Sequence, residues 1–279
     1  MRRLASILAA SLLTLALAGP ALAAPNAHAT RYYLSLGDSL AAGQQPIGDP
    51  ADMYRTSDGY ADQLYAMARA RYPHLEHVKL GCPGETTVTF VEGGICEYAH
   101  GSQLDEAIAF LDAHLKATVF ITIDIGWNDF PCETGIECVP PGVASIQAHL
   151  PGILDTLRAH APRVPIAGAT MYDPFLAYWL QGTPEGRYLA TISVSDAIVP
   201  INDLVAGIYA SRGIPVADVE GFFLTTHFTP EVPLTGFGTV PINVAVICGA
   251  TWVCTAGNNH ANHYGYLLMA LAFRVALHL

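Results

Sequence analysis

The stretch YYLSLGDSLAAG, residues 32–43, decides how the rest of the chain is read. It begins inside a mostly apolar run, Arg31 to Leu36, that has the character of a buried strand. The run stops on a glycine, an acid and a hydroxyl, Gly37-Asp38-Ser39, and small residues follow. A strand ending this way delivers a polar side chain to the rim of a sheet. A serine in that place is either a turn residue or a nucleophile, and a nucleophile needs a base from elsewhere in the chain.

Working outward, apolar strands alternate with segments of helical period. His77–Leu80, Ala117–Ile125, Val164–Thr170 and Ile214–Val219 read as further strands. Ala117–Ile125 is almost wholly apolar and β-branched, which predicts a central strand buried on both faces. Tyr60–Arg71, Gly101–His114, Val143–Ala159, Ser193–Ser211 and Tyr264–Leu277 read as helices. In the second of these, Ser102 is the N-cap and Leu104, Ala107, Ile108 and Leu111 share one face; in the third, Pro151 predicts a kink or a break. Strands alternating with helices predict an α/β fold with a parallel sheet covered on both faces. No internal repeat, low-complexity run or linker interrupts the pattern, so residues 30–279 read as one domain. Two stretches break the alternation, Asp173–Arg187 and Phe222–Ile247, both rich in aromatics, Pro, Gly and Thr. Long loops at the carboxyl ends of strands are where such folds build ligand sites.

Arg2 and Arg3, an apolar run from Leu4 to Leu17 and the small-residue site Ala21-Leu22-Ala23 predict a secretory signal peptide over residues 1–24. No later segment reads as a membrane span. The chain carries a formal net charge of −11, and Lys79 and Lys116 are its lysines. With no basic stripe, a nucleic-acid partner is not expected. The even set of six cysteines suits an oxidising compartment, and nearness in sequence predicts the bridges Cys82–Cys96, Cys132–Cys138 and Cys248–Cys254. No C-x-x-C pair occurs, and His260 and His263 stand without a supporting cluster of acids or cysteines, so no metal and no cofactor are expected.

Gly37-Asp38-Ser39-Leu40-Ala41 nearly fits the G-x-S-x-G nucleophile elbow, but Ala41 replaces the second glycine. Only one strand precedes the serine, where the elbow fold requires several. Four blocks in order resemble a different family, the GDSL or SGNH hydrolases: Gly37-Asp38-Ser39-Leu40, then Gly81-Cys82-Pro83-Gly84-Glu85-Thr86-Thr87, then Gly126-Trp127-Asn128-Asp129, and finally His260-Ala261-Asn262-His263-Tyr264-Gly265-Tyr266. The resemblance runs from Leu34 to the final helix. It implies a flavodoxin-like three-layer α/β/α sandwich with five parallel strands in the order 2-1-3-4-5. It implies Ser39 as nucleophile, His260 as general base and then acid, and an oxyanion hole made by the N–H groups of Ser39 and Gly84 and the amide of Asn128. Those types suit the chemistry, since neutral preorganised donors stabilise the charge that develops on the carbonyl oxygen.

The resembled family places an aspartate three residues before the histidine, where this chain has Gly257. The group that orients the imidazole is therefore open: the carbonyl of Gly257 is preferred, Asp218 comes next, and the side-chain oxygens of Asn258 and Asn259 are the others. Trp127, Tyr172, Phe175, Tyr178, Trp179, Phe222, Phe223 and Phe228 predict an apolar wall near the site, with Asp173 an unassigned acid among them. The expected activity is that of a secreted esterase or lipase acting on small-molecule or lipid acyl esters. A carbohydrate O-acetyl esterase and a non-catalytic secreted binding protein of the same fold are the competing expectations.

Overall fold

The computed structural model describes residues 29–49, 52–130 and 138–279. The predicted signal peptide and the Cys132 half of one predicted bridge lie outside the described residues. β1 (Arg31–Gly37) is followed by a small antiparallel pair, β2 (Gln44–Pro46) and β3 (Met53–Arg55), then by α1 (Tyr60–Ala68) and β4 (Leu75–Lys79). Next come α2 (Thr87–Glu92), α3 (Gln103–His114), β5 (Thr118–Asp124), α4 (Val139–His160) and β6 (Ile166–Ala169). A 3-10 segment at Pro174–Gln181, α5 (Pro184–Ile192), a π-helical segment at Ser193–Ile198 and α6 (Val199–Ala210) lead to β7 (Val216–Ala217). The chain ends with α7 (Val219–Phe222), the antiparallel pair β8 (Glu231–Leu234) and β9 (Gly238–Pro241), then α8 (Ile242–Ala250), α9 (Val253–Ala256) and α10 (His263–Ala276).

The main sheet has five strands in the order β4-β1-β5-β6-β7, all parallel, which is the 2-1-3-4-5 order of a doubly wound fold. Alternation along the strands feeds two separate cores. Tyr33 and Phe120 point to one face, where Tyr60 and Leu64 of α1, Val244 of α8 and Tyr266 and Phe273 of α10 cover them. Leu34, Leu36, Ile121 and Ile123 point to the other, beneath α3, α4 and α6. Helices on both sides of a parallel sheet make the expected three layers.

Several boundaries differ from the sequence reading, each for a local reason. α4 runs unbroken for 22 residues with Pro151 inside it, because its apolar face (Ile146, Leu150, Ile153, Leu154, Leu157) is fully packed on the sheet. The stretch read as loop before residue 187 contains α5, started by the Thr183 hydroxyl, which accepts the Gly186 N–H at 3.0 Å, with Pro184 at the first helical position. The loop read at Phe222–Ile247 holds β8, β9 and most of α8. α5, the π-helical segment and α6 together form an apolar helical run, Pro184–Ala210, long enough by composition to cross a membrane. Ala190, Val194, Ala197, Ile198, Ile201, Val205 and Tyr209 on this run are buried within the protein instead.

What positions the site is the way β1 and β5 end together. Gly37 pairs with Asp124 as the last residues in register. Gly37 has φ of +134°, and a Cβ there would overlap the Asp124 carbonyl, so only glycine fits. Gln103 at the start of α3 grips Gly37 from the side: its Oε1 accepts the Gly37 N–H at 2.7 Å and its Nε2 donates to the Gly37 carbonyl at 2.9 Å.

Candidate active site

Ser39 sits on the first turn beyond β1, 7% exposed. The turn is closed by the Ala42 N–H donating to the Asp38 carbonyl at 3.0 Å and by the Leu40 N–H donating to Asp38 Oδ1 at 2.9 Å. This Asx-type turn lifts Ser39 out of the strand direction and leaves its own N–H without an acceptor among the described residues. Gly84 stands after β4 with φ of +83°, a left-handed turn that suits glycine, and its N–H is likewise free among the described residues. The predicted Cys82–Cys96 bridge is present and ties this loop to the segment before α3. Behind it, the Thr86 hydroxyl caps α2 by accepting the Thr89 N–H at 3.0 Å.

Asn128 lies in a single 3-10 turn, Trp127–Asp129, directly after β5. Its side-chain amide donates to the Glu85 carbonyl at 3.0 Å and to Asp38 Oδ2 at 3.4 Å. One side chain therefore joins the ends of β1, β4 and β5. The next residue secures the turn: Asp129 accepts the Thr87 N–H at 2.8 Å, the Thr87 hydroxyl and the Ser145 hydroxyl of α4.

His260 lies between α9 and α10, and its ring partner is neither of the two groups preferred from sequence. Gly257 is the left-handed C-cap of α9, with φ of +63°. Asp218 is occupied in capping α7, where its Oδ1 accepts the Gly221 N–H at 2.9 Å. The turn at Gly257 instead brings Asn258 Oδ1 to 3.0 Å from the His260 N–H and 2.9 Å from its Nδ1. Because the backbone N–H donates to that atom, it is the amide oxygen, an acceptor only. Nδ1 therefore carries the proton and Nε2 is the bare nitrogen, the tautomer a general base requires. Burial lowers the His260 pKa to about 4, so the ring is neutral above that. The Cys248–Cys254 bridge, also present as predicted, fastens α8 to α9 just before this turn. Among the described residues, neither Ser39 Oγ nor His260 Nε2 has a hydrogen-bond partner. His263 is turned away and pairs with Asp58 at 2.7 Å on the surface.

Two hollows flank this histidine segment. An apolar cavity of about 230 Å3 is lined by Trp127, Asn128, Phe130, Phe175, Ile198 and Asn259, with further walls from α6. A wider recess of about 470 Å3 is lined by Phe175, Tyr178, Asn258 and Asn259. The predicted aromatic wall divides between them and the core. Phe175 and Tyr178 stack at 6.1 Å and are 38% and 41% exposed, whereas Phe223 is buried against Tyr172 at 4.6 Å. Tyr172 donates its O–H to the Asn259 carbonyl at 2.7 Å, which anchors the histidine turn to the sheet side. Asp173 is fully buried, accepts the Ser193 hydroxyl at 2.7 Å and the Phe175 N–H at 2.9 Å, and so ties both walls of the smaller cavity together. Burial pushes its pKa up to about 6.

Sequence reasoning missed Gln103 and the acid Asp124. The signal for Asp124 was there to be read, since a charged residue inside a strand buried on both faces demands an explanation. Gln103 gave none, because its role depends on where α3 starts relative to Gly37. Among the described residues no group of three or more His, Cys, Asp or Glu side chains is placed to hold a metal ion.

A comparison with solved structures finds the lipase Lip_vut3 from a goat rumen metagenome at 16% identity, covering 88% of this chain and 97% of that one with a TM-score of 0.51. A proposed GDSL-like lipase from Parabacteroides merdae aligns at 14% identity over 91% of this chain and 99% of that one, with a TM-score of 0.53. At such identities the likeness is one of fold. A comparison with curated proteins finds no match. The model of the GDSL-like lipase/acylhydrolase family matches residues 35–266, and the chain belongs to that family of ester hydrolases.

Proposed function

We propose that this chain is an exported serine esterase, with residues 1–24 a cleaved leader and residues 30–279 one catalytic domain. Ser39 Oγ attacks the ester carbonyl carbon while His260 Nε2 takes its proton. The resulting oxyanion is held by the N–H groups of Ser39 and Gly84 and by the Asn128 amide. The imidazolium returns the proton to the departing alcohol, leaving an acyl-enzyme at Ser39. Water then attacks the acyl carbon by the same route in reverse, with His260 again the base. Asn258 takes the part of the missing acid by fixing the ring and its tautomer. The Cys82–Cys96 and Cys248–Cys254 bridges favour an oxidising destination.

One observation carries the substrate class: the apolar cavity touches both Asn128 and Asn259, so it opens where an acyl group would leave the oxyanion hole. At about 230 Å3 it is smaller than common ligand pockets, which favours short acyl chains over long ones. The wider recess, with its exposed aromatic pair and two asparagine amides, favours a second reading in which the alcohol half is a sugar. Steady-state hydrolysis of p-nitrophenyl acetate, butyrate and decanoate, beside an acetylated sugar, tests both. The expected order puts acetate or butyrate first, with Ser39→Ala slower by at least about a thousandfold. A decanoate optimum, or full activity in Ser39→Ala, would overturn the assignment.

A further inference from the structure

Behind the nucleophile lie two carboxyl groups with no cation paired to them among the described residues. Asp38 is 2% exposed and Asp124 is 8% exposed. They meet where β1 and β5 end, with the Asp38 N–H donating to the Asp124 carbonyl at 3.2 Å and approaching its Oδ1 at 3.4 Å. Asp38 accepts the Leu40 N–H, so Asp124 holds the start of the Ser39 turn and Asp38 closes it from within. Asp124 Oδ2 is buried and has no hydrogen-bond partner. Both acids line a small hollow of about 30 Å3, with Thr170, Met171 and Tyr172 among its other walls.

The groups facing this pair from neighbouring elements are acids and phenols. Glu85 and Asp129 face Asp38 from the β4–α2 loop and the turn after β5. Tyr33 of β1, Tyr60 of α1, Tyr172 after β6, Tyr209 of α6 and Tyr266 of α10 face Asp124. Two buried carboxylates side by side, without a lysine or arginine to offset them, cannot both stay ionised at ordinary cost. An orphan carboxylate oxygen is costly as an anion and much less so as a neutral O–H.

We infer that Asp124 is a positioning residue for Ser39 and Asn128, and that it works as one half of a proton-holding pair with Asp38. The inference rests on Ser39 and Asn128 having the roles given above. Asn128 donates to Asp38 Oδ2 in the resting site, and the same amide must serve the oxyanion during reaction. An ionised Asp38 competes for that N–H and repels the developing charge; a protonated pair does neither. Burial, chiefly, raises both carboxyls above the ordinary aspartate range, in accord with this arrangement.

The sign of the linkage gives a test that does not depend on activity. The native pair keeps protons that the unfolded chain has already released, so the folded state loses ground as pH rises above about 4. Each extra proton kept changes the unfolding constant by about tenfold per pH unit. Urea unfolding of wild type, Asp124→Asn and Asp124→Ala from pH 5 to 8 should show a clear fall in wild-type stability with pH and a flatter profile in both variants. In the same preparations Asp124→Asn, whose amide oxygen can still accept from the Asp38 N–H, should keep kcat within about threefold of wild type at pH 5.5. Asp124→Ala should lose about tenfold in kcat with KM little changed, the size expected for one lost hydrogen bond to a charged or preorganised group. A wild-type stability slope matched by Asp124→Asn would overturn the proton-holding pair. Equal kcat in Asp124→Ala and wild type would overturn the positioning role. If instead Ser39→Ala kept full activity, the catalytic reading itself would fail while the stability result stood.

Discussion

Asn258 Oδ1 receives two N–H groups from the same residue, the amide and the ring of His260. An asparagine does for orientation what an aspartate does, but it brings no negative charge to the imidazolium that the proposed mechanism forms. With burial also disfavouring the charged ring, the imidazole stays neutral down to about pH 4. Replacing the amide by a carboxylate should reverse part of that: an opposite charge beside Nδ1 favours the imidazolium and raises its pKa. The acid limb of the kcat/KM profile of Asn258→Asp should therefore move to higher pH by a unit or more. Asn258→Ala should lose about 30-fold in kcat, the sum of two hydrogen bonds of about 1 kcal/mol each, with the acid limb left in place. A pH–rate series on the two variants and wild type checks both outcomes. That an amide follows a glycine at this place was visible in the sequence. Which atom would meet Nδ1 was not, because it depends on the left-handed turn at Gly257.

At the scale of elements, the site is a convergence of strand ends, and its least regular part is the β4–α2 loop that carries Gly84. Two things hold that loop: the Thr86 cap on α2 and the Cys82–Cys96 bridge, which closes a 14-residue separation. By loop-closure entropy such a bridge contributes about 3 kcal/mol. The double variant Cys82→Ser/Cys96→Ser should lose stability of that order in denaturant unfolding. It should also lose kcat more than it raises KM, because the proposed mechanism uses the Gly84 N–H in the transition state more than for binding. The strands and helices with strong periods were legible: β1 and β5 from their apolar runs, α3 from Ser102 and its apolar face, α10 from the helical period of Tyr264–Leu277. β7 lies within the expected strand Ile214–Val219, though it pairs over only two residues at the sheet edge, whereas β2 and β3, of three residues each, are too short for a period to show. The π-helical segment at Ser193–Ile198 was read as ordinary helix, since its sequence pattern is helical; the extra residue per turn accompanies the Ser193 bond to buried Asp173, which no spacing rule reveals.

For the molecule as a whole, two cores on either side of one sheet hold five strand ends in a common rim, and the blocks that are far apart in sequence meet there. Asn128 touches the end of β1 and the loop after β4; Tyr172 after β6 touches the histidine turn before α10. The parallel sheet and the block order were readable because a buried parallel sheet leaves long apolar strands and because the polar residues follow directly on them, while the strand order came from the family resemblance alone. The closeness of the blocks was not readable, since it is a property of the packed sheet. The central claim is that Ser39 is the nucleophile and His260 its base. Intact-protein mass spectrometry after exposure to a fluorophosphonate tests it most directly. A single adduct mapping to the peptide that contains Ser39, absent in Ser39→Ala and formed far more slowly in His260→Ala, is the expected result; an adduct on another residue, or one that forms equally in Ser39→Ala, would contradict it.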